Sequence, residues 1–301
     1  MRPLGRLVLA AELLVLGMPA LAHDGHAHGQ APGWTRDPWI TVPLAASLLL
    51  FAIGYVRLSR RAGRADYRRR GLFFAAGWLL LAAALVSPLH EAGERSFCAH
   101  MLEHELLMLA AAPLLVVGEP MIFLLWGFPA PARRAIGAAV RSPVLAAPWH
   151  ALTAPVTATI LQAAALWLWH MPLLFDLALA HEGWHGVQHL SFLLTALLFW
   201  SAMFGASRKA SGGRALAALC LFATSLISGA LGALMAFSES PWYARYAELG
   251  MAPYGLTPAE DQQVAGLIMW IPGGLVHALA ALALVATLLG PGRTMGGADA
   301  R

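Results

Sequence analysis

Histidines with helical spacing stand at the starts of two apolar segments of this 301-residue chain. His100 and His104 are four residues apart, so they share one face of a helix at about 6 Å from each other. His185 and His189 repeat the interval, and His181 extends it by one more step. Two imidazoles at this spacing can give a metal ion two nitrogens from one helix. The pattern predicts a metal site, and no nucleophile is convincingly paired with a base.

Soft donor atoms around these histidines favour copper as the metal. Imidazole with thioether or thiolate suits copper, whereas oxygen-rich carboxylate sites suit magnesium or calcium. We therefore predict a copper site that holds Cu(I). The predicted ligands are His90, His100, Met101, His104, His170, His181, His185 and His189. The predicted accessory ligands are Cys98, Met108, Met171, Asp176, Asp261, His23, His26 and His28. Three carboxylates are expected to orient a ring N–H: Glu103, Glu105 and Asp176.

Seven apolar segments must position these side chains. Hydrophobic residues make up 59% of the chain and charged residues 12%, whereas about a quarter of a soluble domain is charged. Apolar runs of about 18 or more residues indicate transmembrane helices. We predict an all-α polytopic membrane protein, a bundle of seven transmembrane helices. The segments lie near residues 38–58, 71–89, 100–126, 149–171, 185–205, 215–237 and 262–290. For the long third segment, the alternative is a break at "GEP", residues 118–120, into a span followed by a re-entrant or interfacial piece.

The beginning of the chain is typical of an export signal. A basic start, a short apolar core and the sequence "ALA" before His23 predict a cleaved signal peptide, with an uncleaved anchor helix as the alternative because Glu12 interrupts the core. The short His-rich leader that would follow can bind transition metals, or it is a tolerated polar segment. The predicted parts are a signal peptide at 1–22, a periplasmic leader at 23–37, a transmembrane domain at 38–291 and a cytoplasmic tail at 292–301.

Charge predicts the orientation of the bundle. With the mature N-terminus outside, the inner loops and the tail hold 15 Lys and Arg residues and the outer segments hold 3. The positive-inside rule therefore predicts a periplasmic N-terminus and a cytoplasmic C-terminus. Seven of the nine histidines beyond the leader then share one layer near the outer leaflet. His150 and His277 lie outside this layer and are interpreted as structural. Cys98 and Cys220 fall near opposite faces, so we expect no disulfide.

Three stretches resemble the signature blocks of the CtaG family of cytochrome c oxidase assembly factors. They read "AHMLEHELLMLAAAPLLVVGEP", "WHMPLLFDLAL" with "HGVQHLSFLLTALLFW", and "DQQVAGLIMWIPGG", and the resemblance covers residues 90–291. It implies a seven-helix bundle in the bacterial inner membrane that helps copper enter a haem-copper oxidase. The residues of the family motifs fall here on His100, Met101, His104, Trp169, His170, Pro172, His185, His189, Asp261 and Gln262.

Two other functions compete with this copper-handling, non-enzymatic role. A bis-His haem b redox protein needs one histidine per helix at matched depth, which this chain also supplies, but the surplus of His and Met favours copper. A membrane metallohydrolase is disfavoured because HExxH is absent and "HMLEHE" resembles it only loosely. The expected partners are a haem-copper oxidase subunit, a periplasmic copper chaperone and membrane lipid. Loop arginines account for the net charge of +4, so no nucleic-acid partner is expected.

Overall fold

The computed structural model describes residues 33–62, 65–208, 211–252 and 255–289. Every regular element in these ranges is helical, which confirms the predicted all-α class. The signal peptide at 1–22, the leader histidines His23, His26 and His28, and the tail at 292–301 lie outside the described residues, so those predictions stay predictions. Cys98 and Cys220, both described, form no disulfide.

Fourteen α-helices and one π-helical segment follow one another along the described chain. They are α1 (Pro38–Ala62), α2 (Ala65–Val86), α3 (Pro88–Gly93), α4 (Phe97–Glu105), the π-helical segment (Leu106–Ala111), α5 (Ala112–Gly118), α6 (Met121–Gly127), α7 (Ala130–Arg141), α8 (Pro143–Leu152), α9 (Pro155–Trp169), α10 (Pro172–Ala180), α11 (Glu182–Ser207), α12 (Ser211–Ala236), α13 (Ala244–Leu249) and α14 (Pro258–Leu289).

Six helical stretches in the described part of the chain are long and apolar enough to cross a membrane. They are Pro38–Arg61, Tyr67–Val86, Phe97–Gly118, Glu182–Ser207, Ser211–Ala236 and Pro258–Leu289. A seventh is added if α8 and α9, which bend by 70° where they meet, form one span. The prediction of a polytopic helical membrane protein is therefore confirmed, with six or seven candidate spans.

The third apolar segment is broken at Glu119, within "GEP", so the alternative of a divided segment is confirmed and the segment does not continue to residue 126 as one helix. Glu119 takes the left-handed conformation, with φ at 45°, and ends α5. Its carboxylate lies 3.2 Å from a nitrogen of Arg70 and 3.2 Å from one of Arg208. The following helix α6 turns back onto α1, where a Cβ on Gly54 would overlap the carbonyl oxygen of Phe123. Close backbone contact of this kind is how small residues pack membrane helices.

The π-helical segment lies in the middle of the third span and has a cause in the sequence. The Ala112 N–H reaches back five residues to the carbonyl of Leu107. Pro113 has no N–H, so the carbonyl of Met108 loses its donor within the helix. The indole of Trp200 replaces that donor at 3.0 Å. The extra residue in this turn changes the direction of the side chains that follow, and such bulges are frequent at functional sites.

Close packing of α12 against α14 fixes the position of the last span. A Cβ on Gly232 would lie 2.8 Å from the carbonyl oxygen of Gly266, and a Cβ on Gly266 would lie 2.5 Å from the Ala236 nitrogen. Both distances are shorter than ordinary contacts, so the two backbones need glycine here. This contact brings the first turn of α14 alongside the start of α4.

Asp261, in the first turn of α14, caps the N-terminus of α4. Its carboxylate accepts the Phe97 N–H at 2.6 Å, the Cys98 N–H at 3.2 Å and the Ser96 hydroxyl at 3.0 Å. A carboxylate is favourable at a helix N-terminus because the free N–H groups and the helix dipole both attract it. The cap therefore fixes the first turn of α4, from which His100 projects.

Candidate metal centre

Five histidine rings from three helices meet inside the bundle. His90 comes from α3, His100 and His104 from α4, and His185 and His189 from α11. The centroids of neighbouring rings are 4.3 to 5.8 Å apart. We call these five residues the histidine cluster. The structure thus brings together five of the eight residues predicted as ligands, although they are spread over 100 positions of the chain.

Ligand atoms of the histidine cluster are close enough to share one metal ion. Nitrogen atoms of His100, His185 and His189 all lie within 4.8 Å of one another, and so do ligand atoms of His90, Glu103 and His189. Metal–nitrogen bonds of about 2.0 Å put two ligands of one tetrahedral ion roughly 3–4 Å apart. Small side-chain movements would therefore allow three of these imidazoles to bind the same ion.

Several ring nitrogens of the cluster are buried without a hydrogen-bond partner. They are Nε2 of His100, both ring nitrogens of His104, Nε2 of His185 and Nε2 of His189. An unsatisfied buried polar atom costs about 1–3 kcal/mol, and folded proteins contain few of them. A group of such atoms facing one another is expected where an ion or another polar species supplies the missing partner. The donor set therefore fits a transition metal.

Tyr246 fixes the protonation of the His100 ring. The Tyr246 hydroxyl donates to the Gly93 carbonyl at 2.5 Å and lies 3.2 Å from Nδ1 of His100. Because the hydroxyl proton is already used, the hydroxyl oxygen accepts from the His100 Nδ1–H. The lone pair of that neutral ring is then on Nε2, the buried atom without a partner. This arrangement prepares His100 to bind a metal through Nε2.

Glu103 is the carboxylate at the centre of the cluster, and its side chain is fully buried. Its Oε1 accepts from Nδ1 of His90 at 2.7 Å and lies 3.6 Å from Nδ1 of His189. A carboxylate on one ring nitrogen orients the imidazole and makes the other nitrogen a better ligand. Burial lowers the pKa of His90, but the hydrogen bond and charge of Glu103, together with the charges of Glu94 and Asp37, outweigh it, so the net shift is upward. Glu103 therefore occupies the orienting position that the sequence suggested for it.

His170 and Met101 form a separate pair beside the cluster. Nδ1 of His170 donates to the Leu166 carbonyl at 2.7 Å, so its Nε2 carries the lone pair. That Nε2 lies 3.4 Å from the sulfur of Met101. The rings of Phe175 and Phe192 contact both His170 and rings of the cluster. The pair therefore places one imidazole and one thioether next to the five histidines, in a form that suits a soft metal.

Other predicted ligands lie elsewhere. His181 is exposed, because α11 begins only at Glu182 and His181 precedes it in extended conformation. Met171 is 51% exposed at the start of α10. The Cys98 sulfur contacts the Ser96 hydroxyl at 3.2 Å. Met108 is buried, but it lines a cavity that contains none of the five cluster histidines. The structure does not bring these four side chains into the cluster.

The remaining predicted carboxylates have other contacts. Asp176 accepts the backbone N–H groups of Ala244 and Arg245, each at 3.3 Å, and so holds the first turn of α13. Asp261 is the cap of α4 described above. Glu105 faces Gly273 of α14 instead of a cluster ring. Of the three carboxylates expected to orient an imidazole, only Glu103 is placed to do so.

Two tyrosines at this end of the bundle were missed by the sequence reasoning. Tyr246 fixes the His100 ring, and the Tyr243 hydroxyl donates to the His170 carbonyl at 3.1 Å. Both are buried on or next to the short helix α13, which joins the last two spans. Their signal in the sequence was weak. They are two aromatic residues in a polar loop, and the predicted topology placed this loop on the same side of the membrane as the histidine layer.

A family model and two curated relatives match this chain. The family model described as cytochrome c oxidase caa3 assembly factor (Caa3_CtaG) matches residues 49–290, which include the whole histidine cluster. Two curated relatives are uncharacterized protein Mb0105 of Mycobacterium bovis and uncharacterized protein MT0111 of Mycobacterium tuberculosis. Each is 30% identical over 247 residues, which cover 75% of this chain. The match spans only 35% of the length of each relative. No solved structure matches.

Proposed function

Because the chain belongs to the family of cytochrome c oxidase caa3 assembly factors, we propose that it binds copper in the histidine cluster and passes it to a haem-copper oxidase. The role is delivery of a metal ion, with copper as cargo, and involves no enzymatic step. The observation that carries this proposal is the group of buried ring nitrogens without partners, contributed by His100, His104, His185 and His189.

The chemistry of the cluster supports Cu(I) as the cargo. Charged groups inside a membrane are costly, so a carrier gains from neutral ligands. Imidazoles and the nearby thioether of Met101 are neutral and soft, and both suit Cu(I). Glu103 provides one negative charge, which balances one Cu(I). The cluster offers more nitrogens than one ion needs, so ligands can be exchanged a few at a time and copper need never be free.

The direction of delivery follows from the predicted topology. The distribution of Lys and Arg favours a bacterial inner-membrane protein with its N-terminus in the periplasm and its C-terminus in the cytoplasm. The histidine cluster then lies near the periplasmic face, the side nearer the oxidase's own buried copper. A periplasmic copper chaperone would supply the ion, and the oxidase subunit would receive it within the bilayer.

Direct contact among the rings disfavours the haem alternative. A bis-His haem places a porphyrin between its two axial imidazoles. Between the third span and α11, the ring centroids of His100 and His185 are 5.1 Å apart and those of His104 and His189 are 4.9 Å apart. These pairs leave no slot for a macrocycle between them, whereas they are well placed around a single ion.

Metal analysis and the visible spectrum of the purified wild-type protein test this proposal. After anaerobic loading with Cu(I), we expect at least one copper per chain, a colourless sample and no Soret band, because Cu(I) has a filled d shell. A red protein with stoichiometric haem would support the redox alternative instead. A chain that retains no copper after loading and desalting would end the copper proposal.

A further inference from the structure

A small, mostly apolar cavity with a few polar and sulfur-containing side chains lies in the bundle next to the histidine cluster. It is enclosed by side chains of the third span, α9, α12 and α14, and has a volume of about 20 Å³. That volume holds one water-sized species. Its polar and sulfur-containing lining includes Glu105, Met108, Gln162, Met269 and His277. No motif in the sequence groups these residues, since they come from three separate helical spans.

His277 presents a free lone pair in this region. Its Nδ1 donates to the Gly273 carbonyl at 2.8 Å, so the neutral ring carries its lone pair on Nε2. Only 2% of the residue is exposed, and Nε2 has no hydrogen-bond partner. Trp200 and Phe199 pack on the ring with centroids 5.6 Å away, so its orientation is fixed. A buried nitrogen held this way is prepared to bind an ion or a proton donor.

Glu105 is the acidic residue among the side chains that line the cavity. A Cβ on Gly273 would lie 3.3 Å from Oε2 of Glu105, so the absent side chain leaves room for the carboxylate beside α14. Gly273 lies one helical turn before His277 on α14, and the carboxylate and the imidazole line the same cavity. Oε2 has no partner, and no Lys or Arg lines the cavity. A carboxylate within a membrane span is costly unless it is protonated or balanced by a cation.

We propose that this cavity is a second Cu(I) site, in which Nε2 of His277 and the thioethers of Met108 and Met269 bind the ion and Glu105 neutralises its single charge. One imidazole with two thioethers is a donor set that suits Cu(I) and excludes harder cations. The proposal rests on the proposed function, because it takes copper as the cargo.

The third span connects the two sites. Glu103 contacts a ring of the histidine cluster, and Glu105, two residues later, faces the cavity. Each of the two sites therefore has one carboxylate from the third span. The π-helical segment begins directly after Glu105 and turns Met108 towards the cavity. Copper would therefore pass from the histidine cluster to a deeper position in the bundle by moving past His104 along one helix.

Anaerobic titration of the full chain with Cu(I), against a chromogenic Cu(I) chelator, tests the second site. We expect two equivalents for the wild type and one for the double variant Met269→Leu with His277→Gln. The variant pair His100→Ala with His104→Ala should also keep one equivalent, bound by the cavity. Met235→Leu is the matched control, because Met235 is buried on α12 and does not line the cavity.

The outcomes separate the two proposals. If the wild type binds one equivalent that only the His100 and His104 changes remove, the cavity holds water or a proton and the second site is wrong, while the proposed function stands. If the wild type binds no Cu(I), both fail. If the variant Met269→Leu with His277→Gln does not insert into the membrane, Met269→Leu and Glu105→Gln are tested as single substitutions. Each should weaken the second equivalent about tenfold or more, and an unchanged affinity in both would overturn the proposal.

Discussion

Replacing His100 and His104 together by Ala removes the copper that the histidine cluster holds, while the protein still inserts into the membrane. The two rings contribute three of the buried nitrogens without partners, and His100 is the ring that Tyr246 prepares for binding. Without them, only the imidazoles of His90, His185 and His189 remain in the cluster. Losing an orienting contact alone weakens metal binding about 10- to 100-fold, so losing two ligands should cost at least the upper end of that range.

Copper content of the purified variant, measured by mass spectrometry beside the wild type, checks this result. His150→Ala is the matched control, because His150 is exposed on α8 and belongs to neither site. Membrane insertion and the elution volume in detergent should be the same for all three proteins. A double variant that still contains every wild-type copper equivalent would refute the assignment of the cluster.

A strain without this chain should produce the cognate oxidase with its haem but without its copper. Copper that is not carried by neutral ligands would have to enter the membrane as a charged ion, which is costly. Haem insertion does not depend on the histidine cluster, so the haem spectrum should be unchanged. The measurement is the ratio of copper to haem in oxidase purified from the deletion strain and from strains complemented with the wild type or the His100→Ala, His104→Ala variant.

All strains are grown with excess copper in the medium, so that a low copper-to-haem ratio is not the result of copper starvation of the cells. Complementation by the wild type should restore the copper-to-haem ratio, and complementation by the variant should not. Fully metallated oxidase in the deletion strain would contradict a role in copper delivery, even if the purified protein binds copper.

Much of the architecture follows from local features of the sequence. Long apolar runs predicted the spans, because a helix is the way an isolated segment satisfies its backbone in lipid. The interval between His100 and His104, and again between His185 and His189, predicted which rings share a helix face. The distribution of Lys and Arg in the loops predicted the orientation of the helices, and this orientation placed the histidine-bearing helix ends on one side of the membrane. The meeting of both pairs with His90 is the consequence of these three features together.

The remainder depended on contacts that the sequence does not encode locally. Asp261 could have been a ligand or a cap, because a carboxylate accepts a metal ion and a backbone N–H equally well. His181 continued the histidine spacing, but the helix begins one residue later, so the ring lies at the surface. The Tyr246 contact and the second cavity depend on how distant helices pack. Their residues carry no shared motif.

The most direct test of the central claim is the X-ray absorption spectrum of the wild-type protein loaded with a single equivalent of Cu(I). We predict nearest neighbours that are mainly nitrogen at about 2.0 Å, with the multiple scattering that imidazole rings produce. That imidazole signal should decrease sharply in the His100→Ala, His104→Ala variant. A spectrum without imidazole scattering, or one that the two substitutions leave unchanged, would contradict the assignment of copper to the histidine cluster.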